Sequence, residues 1–251
     1  MWYNQNMLNT IHDPILRQRE GAEAAVVFIH GFMGSPNQFS AWMDAAYQAG
    51  YSVAAVLLPG HGGDAKAFAK ATCEDWQAHV RAELNALAAK HERICLVGHS
   101  MGGLLALRAS LEPASHVAGV FAVCTPLKVR LIGIKKIRLL LHPEVSAAYR
   151  QANSVSGLGL FSLMRPWLEL RKLIRRTKAV LPQVWVPVCL VHSGGDETTS
   201  PVSAKLLWDG LSNAPRQALT LTASRHAFFD PRESEQIKER LLAFLHALKQ
   251  A

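Results

Sequence analysis

Hydrophobic positions along this chain fall into short continuous runs rather than alternating ones. The runs are 24–29 (AAVVFI), 51–58 (YSVAAVLL), 93–97 (RICLV), 117–124 (VAGVFAVC), 186–192 (VPVCLVH) and 217–222 (QALTLT). Short continuous runs rich in Val, Leu and Ile predict strands covered on both faces. Between them, apolar residues recur at helical spacing over 35–49, 73–91, 102–111, 201–211 and 231–248. This regular alternation predicts an α/β fold, with a mostly parallel central sheet and helices on both faces. One region departs from it. Residues 127–182 carry no clear strand, and the stretches 129–141 and 163–178 place basic residues between apolar ones at helical spacing. In open α/β sheets ligands sit at the carboxyl ends of the strands, so an insertion between two central strands predicts a helical lid over a site. The expected organisation is a core domain built from 1–126 and 183–251, with a lid subdomain at 127–182.

Polar residues where predicted strands end carry the candidate chemistry. Gly98-His99-Ser100-Met101-Gly102 follows one run and opens a helix. A serine on such a strand-to-helix turn projects into a site, and the glycines permit close backbone approach. A chain with 17 glycines gives about 0.07 chance matches to this spacing. A serine hydroxyl needs a base within hydrogen-bond reach, and in this architecture the chain order is serine, acid, histidine. His226, on the loop after the last run, is the candidate base, with His192 as its main rival among 11 histidines. The side chain of His99 is expected to leave the turn in another direction. Asp196, in Ser193-Gly194-Gly195-Asp196-Glu197, is the candidate acid, with Glu197 as runner-up. Asp230 is too near His226 in sequence for that role. The turn after the first run, His30-Gly31-Phe32-Met33-Gly34-Ser35, can aim a backbone N–H at an oxyanion. Phe32 and Met101 are the expected donors, and His30 is expected to shape the loop. His61 and Asp64 are too few for a metal site and read as a rim turn.

Composition narrows the classes. Hydrophobic residues make up 49% and charged ones 18%, which excludes a wholly disordered chain. There is no apolar stretch of spanning length, no secretory signal at the start and no zinc-type Cys/His spacing. Cys95, Cys124 and Cys189 lie in apolar runs, where they read as small buried hydrophobes. These features lead to the expectation of a cytoplasmic protein without metal or cofactor. The net charge of +8 is unevenly placed. Residues 128–178 hold twelve basic and two acidic residues, a net +10, so the rest carries −2.

Five blocks together resemble the α/β-hydrolase family, and within it bacterial carboxylesterases and monoacylglycerol lipases: HGFMGS at 30–35, PGHG at 59–62, GHSMGG at 98–103, GGDETTSP at 194–201 and SRHAFFD at 224–230. The resemblance implies Ser100, Asp196 and His226 as catalytic triad and Phe32 and Met101 as oxyanion donors. Arg225 departs from it, since relatives often carry Gly before the histidine.

The expected function is ester hydrolysis through an acyl-enzyme, on a small-molecule substrate with an apolar acyl group near Trp167 and the lid's Leu and Ile. An alternative is a thioesterase, carrier-ester hydrolase or lysophospholipase whose basic lid docks an acidic carrier protein or an anionic lipid surface. Against this stands the plainer reading that Lys and Arg line the solvated face of lid helices. A non-catalytic binding protein on the same fold is a further alternative. Nucleic-acid binding is disfavoured, because no zinc finger or RNP motif is present.

Overall fold

The computed structural model describes residues 12–113, 116–130, 154–156 and 160–250. Among them, seven strands form one sheet: β1 (Ile15–Arg17), β2 (Ala24–Ile29), β3 (Ser52–Val56), β4 (Arg93–His99), β5 (Val117–Val123), β6 (Val188–Ser193) and β7 (Arg216–Leu221). Their order is β1-β3-β2-β4-β5-β6-β7, with β1 antiparallel to β3 and every other pairing parallel. The helices are α1 (Ser40–Gln48), α2 (Ala65–Lys70), α3 (Cys73–Ala88), α4 (Met101–Ala109), α5 (Leu160–Val180), α6 (Val202–Gly210) and α7 (Pro231–Gln250). None of the described helices is long and apolar enough to cross a membrane.

The continuous hydrophobic runs are explained by a sheet with two dry faces. Successive side chains of a strand point to opposite sides. In β2, Val27 and Ile29 join the core layer beneath α3, α4 and α5, whereas Val26 and Phe28 join the layer beneath α1 and α7. The same split recurs in β4, where Leu96 faces one layer and Cys95 and Val97 the other. Both positions of each pair must therefore be apolar.

Several elements differ from the sequence expectation for local reasons. β1 is only three residues long at a sheet edge, and its Leu16 is 58% exposed, so it leaves little hydrophobic signal. β7 alternates half-buried and exposed positions because it forms the opposite edge. The expected helix at 35–49 divides into a 3-10 turn at Pro36–Phe39, which starts at Ser35, and α1. α2 is short and was not anticipated; the Asp64 carboxylate caps it by accepting the Ala67 N–H at 2.8 Å. α3 then starts at a reciprocal cap between Thr72 and Asp75.

Within the expected lid, the 163–178 pattern forms part of α5, and most of 129–141 lies outside the described residues. α5 is fastened to the core. The Cys73 N–H donates to Glu169 at 3.1 Å, and Glu74 pairs with Lys172 at 2.8 Å and with Arg176. Residues 154–156 clip onto the loops after β2 and β3: the Ser154 hydroxyl donates to the Gly34 carbonyl at 2.6 Å, and the Ser156 N–H donates to that of Gly63 at 2.9 Å.

Candidate active site

Ser100 stands alone between β4 and α4. Its backbone adopts φ 53° and ψ −118°, a region that non-glycine residues avoid at a cost of about 1–3 kcal/mol. The surrounding packing enforces it. A Cβ on Gly98 would overlap the backbone of Gly102 and Gly103, and one on Gly102 would overlap the Ile29 carbonyl of β2. Although Ser100 occupies the N-cap position of α4, its hydroxyl makes no capping bond. It meets His226 instead, with Oγ 2.9 Å from Nε2.

His226 lies on the loop between β7 and α7, which is fixed from two sides. The Glu233 carboxylate, in the first turn of α7, accepts the N–H groups of Thr222 at 2.6 Å, Ala223 at 3.0 Å and Ser224 at 2.7 Å. Burial pushes this carboxyl up, but the bonds from Ser224, Ala223 and Thr222 outweigh it and hold it down at about 2. The Ser193 hydroxyl at the end of β6 donates to the Ser224 carbonyl. The Asp230 N–H donates to the Ser224 hydroxyl at 3.0 Å, and its carboxylate accepts the Arg232 N–H, so Asp230 shapes the start of α7.

Asp196 sits in the turn after β6 and is 1% exposed. Its Oδ2 is 2.7 Å from His226 Nδ1, while Oδ1 accepts the N–H groups of Thr198 at 2.7 Å and Thr199 at 2.6 Å. Burial opposes ionisation here. The bonds and charge interaction with His226, together with the two N–H groups, reverse that and leave the carboxyl below its ordinary value. Glu197, the rival acid, accepts the backbone N–H of His226 at 3.3 Å. His192, the rival base, lines a surface groove with Trp208 and Leu219.

The loop after β2 runs against Ser100, since a Cβ on Gly31 would lie 3.0 Å from that of Ser100. His30 shapes this loop: its Nδ1 donates to the Gly31 carbonyl at 2.9 Å and its Nε2 accepts the Leu58 N–H at 3.1 Å. His61 accepts the Met33 N–H at 3.1 Å, which makes it a part of the rim. Phe32 packs edge-on against Phe68, and Met101 is fully buried at the start of α4. Trp167 lies half-buried on α5 against the core. The Arg225 side chain is exposed, and its N–H bonds the Phe228 carbonyl at 2.7 Å.

Among the described residues, two clusters hold metal-ligating side chains. His99, Cys124 and His226 offer atoms within 4.8 Å of one another, but His226 uses both nitrogens on Ser100 and Asp196, and burial pushes the Cys124 thiol far up. Cys73, Glu74 and Glu169 form the second, and Lys172 and Arg176 already neutralise it. Neither donor set fits a resident ion.

Sequence reasoning missed Glu233 and the part played by His99. Glu233 follows Pro231 by two residues, a pattern that reads as an ordinary acidic residue in a first helical turn. His99 does leave the turn apart from Ser100, but it reaches the loop that carries His226: its Nε2 lies 2.8 Å from the His226 carbonyl.

Comparison with known proteins agrees with this architecture. A family model described as "Alpha/beta hydrolase family" matches residues 26–247. A thermostable monoacylglycerol lipase from Bacillus sp. (strain H-257) is 26% identical over 238 residues, covering 90% of this chain and 91% of that protein. A carboxylesterase from Bacillus subtilis (strain 168) is 20% identical, covering 91% and 95%. Among solved structures, one from work on two metagenome-derived lipolytic enzymes superposes with a TM-score of 0.75 at 24% identity, covering 96% of this chain and 98% of that one. A monoacylglycerol lipase from Paleococcus ferrophilus gives 0.71 at 19% identity, covering 89% and 94%.

Proposed function

The chain belongs to the alpha/beta hydrolase family, and from that premise we propose that it is a serine hydrolase that cleaves carboxylic esters through an acyl-enzyme intermediate. Hydrolysis of the lipase and esterase kind is supported by the two Bacillus relatives. Serine catalysis is supported above all by one observation: the His226 ring bridges Ser100 Oγ at 2.9 Å and Asp196 Oδ2 at 2.7 Å.

In this reading, His226 Nε2 takes the Ser100 proton as Oγ attacks the ester carbonyl. Asp196 accepts Nδ1–H, which leaves Nε2 as the basic nitrogen, and it stabilises the imidazolium that forms. The imidazolium returns its proton to the departing alcohol. Water, deprotonated by the same nitrogen, then cleaves the acyl-enzyme. The oxyanion is received by backbone N–H groups at the start of α4 and in the loop after β2. Met101, the residue after the nucleophile, is the first donor. In the loop, the Met33 N–H is engaged by His61 and that of Gly34 by the Gly31 carbonyl. The Phe32 N–H meets no acceptor among the described residues, which favours it as the second donor. An apolar acyl group beneath a lid that includes Trp167 belongs to the same proposal. Ser100→Ala tests it: hydrolysis of short-chain nitrophenyl esters disappears while the thermal transition is kept, and an unchanged rate refutes serine catalysis.

A second reading concerns where the substrate is met. Met164, Leu168, Arg171, Arg175 and Lys178 fall on one exposed stripe of α5. Two apolar side chains followed by three cations suit an anionic lipid surface, and thus a lysophospholipase or lipase acting at one. Lys172 and Arg176 take no part in this, because Glu74 holds both.

A further inference from the structure

His226 is held at both of its backbone polar groups by side chains from a neighbouring loop and from the end of β4. Its N–H donates to the Glu197 carboxylate at 3.3 Å, and its carbonyl faces His99 Nε2 at 2.8 Å. A carbonyl only accepts, so the His99 proton must sit on Nε2. Nδ1 is then a lone-pair nitrogen, and it is buried with no partner among the described residues. Leaving such a group unpaired in a buried site is unfavourable, so an apolar ring would fill this space more favourably. What the imidazole alone supplies is the bond to the His226 carbonyl.

His99 also immediately precedes Ser100. One strand end therefore grips the base twice, through the Ser100 hydroxyl on the ring and the His99 imidazole on the backbone. The His99 ring is flanked by the His226 ring at 5.1 Å and by the Phe229 ring edge-on at 6.0 Å, which limits its rotation. We propose that His99 is a positioning residue, which locks the His226 loop to the nucleophile turn through its Nε2–H bond and keeps the base in reach of Ser100. Burial first, and the neighbouring His226 second, push its own pKa down to about 4, so it stays neutral and keeps this tautomer while His226 cycles through its charged form.

The inference rests on the serine-hydrolase reading, and Ser100→Ala separates the two. If Ser100→Ala keeps its activity, that reading fails; if it is inactive while His99 variants are fully active, only the role of His99 fails. The test compares His99→Phe, which keeps a ring without the donor, with His99→Gln, whose amide can reach the carbonyl. Their readouts are kcat, KM, thermal midpoint and the downfield proton NMR signal of the His226–Asp196 bond. A displaced base lowers kcat by about 10- to 100-fold. His99→Phe is expected to show that loss with KM within about threefold and with the downfield signal shifted or broadened; His99→Gln is expected to recover most of kcat and the signal. Should His99→Phe not fold, His99→Asn, whose amide is one methylene too short, replaces it in the comparison with His99→Gln. Wild-type kcat in His99→Phe or His99→Asn, or an unchanged downfield signal with no recovery in His99→Gln, overturns the proposal.

Discussion

Asp196 and His226 face each other at 2.7 Å through Oδ2 and Nδ1, while the other carboxylate oxygen of Asp196 is occupied by the N–H groups of Thr198 and Thr199. The turn thus presents one oxygen to the ring in a fixed direction. Asp196→Asn leaves a group of the same shape that can face Nδ1 with its N–H donors, favouring the wrong tautomer. We expect kcat to fall on the order of 10³- to 10⁴-fold. Glu197→Gln retains an acceptor for the His226 N–H and should lose less than about tenfold. Steady-state kinetics on one ester check both, and a reversed ranking would assign the acid to Glu197.

Glu233 links stability to pH. Its carboxyl titrates at about 2 in the fold against an ordinary 4.5. A group with a depressed folded pKa contributes fully above its unfolded value and loses that contribution as pH falls through the folded one. The stabilisation from Glu233 is therefore complete above about 4.5 and fades toward about 2. Glu233→Gln should destabilise the protein by about 1–3 kcal/mol at neutral pH, with the gap narrowing in acid. Thermal midpoints of both proteins between pH 7 and pH 2.5 measure this, and a gap that is constant with pH contradicts it.

Strain at Ser100 predicts a difference between two variants that lack the hydroxyl. Ser100→Ala keeps a Cβ at φ 53°, whereas Ser100→Gly does not. Relief of about 1–3 kcal/mol is offset by the entropy that glycine loses, about 0.5–1 kcal/mol. Ser100→Gly should thus equal or exceed Ser100→Ala in stability by up to about 2.5 kcal/mol. Urea denaturation decides it, and a clearly weaker glycine variant would place the strain elsewhere.

Much of the candidate site's geometry was legible because its polar residues sit at strand ends. Ser100 was marked by Gly98 and Gly102, which the backbone contacts require, and Asp196 and His226 by their order after successive hydrophobic runs. What was not legible depends on neighbours distant in sequence. His99 meets a carbonyl 127 positions away, and nothing local distinguishes Glu233 from a surface acid. β1 and α2 are too short to show a period, and the half-exposure of β7 follows from its edge position rather than from its composition. The net charge of the 128–178 segment gave no hint that Lys172 and Arg176 are held by Glu74.

The exposed stripe of α5 predicts salt-sensitive association with lipid. The protein should co-sediment with phosphatidylglycerol vesicles at low ionic strength and release as salt rises, because exposed charges are screened over about 8–10 Å at physiological salt. Arg171→Glu with Arg175→Glu should weaken this at least several-fold while hydrolysis of a water-soluble ester is kept. Sedimentation indifferent to salt and to these substitutions would remove the lipid-surface reading.

The Ser100 hydroxyl is the proposed nucleophile, and covalent trapping tests that most directly. The protein is incubated with a fluorophosphonate, digested, and the adduct located by mass spectrometry. The predicted result is a single adduct on Ser100, strongly slowed in His226→Ala and absent in Ser100→Ala. No adduct on Ser100 in a protein that still hydrolyses esters, or an adduct on another residue that silences activity, would contradict it.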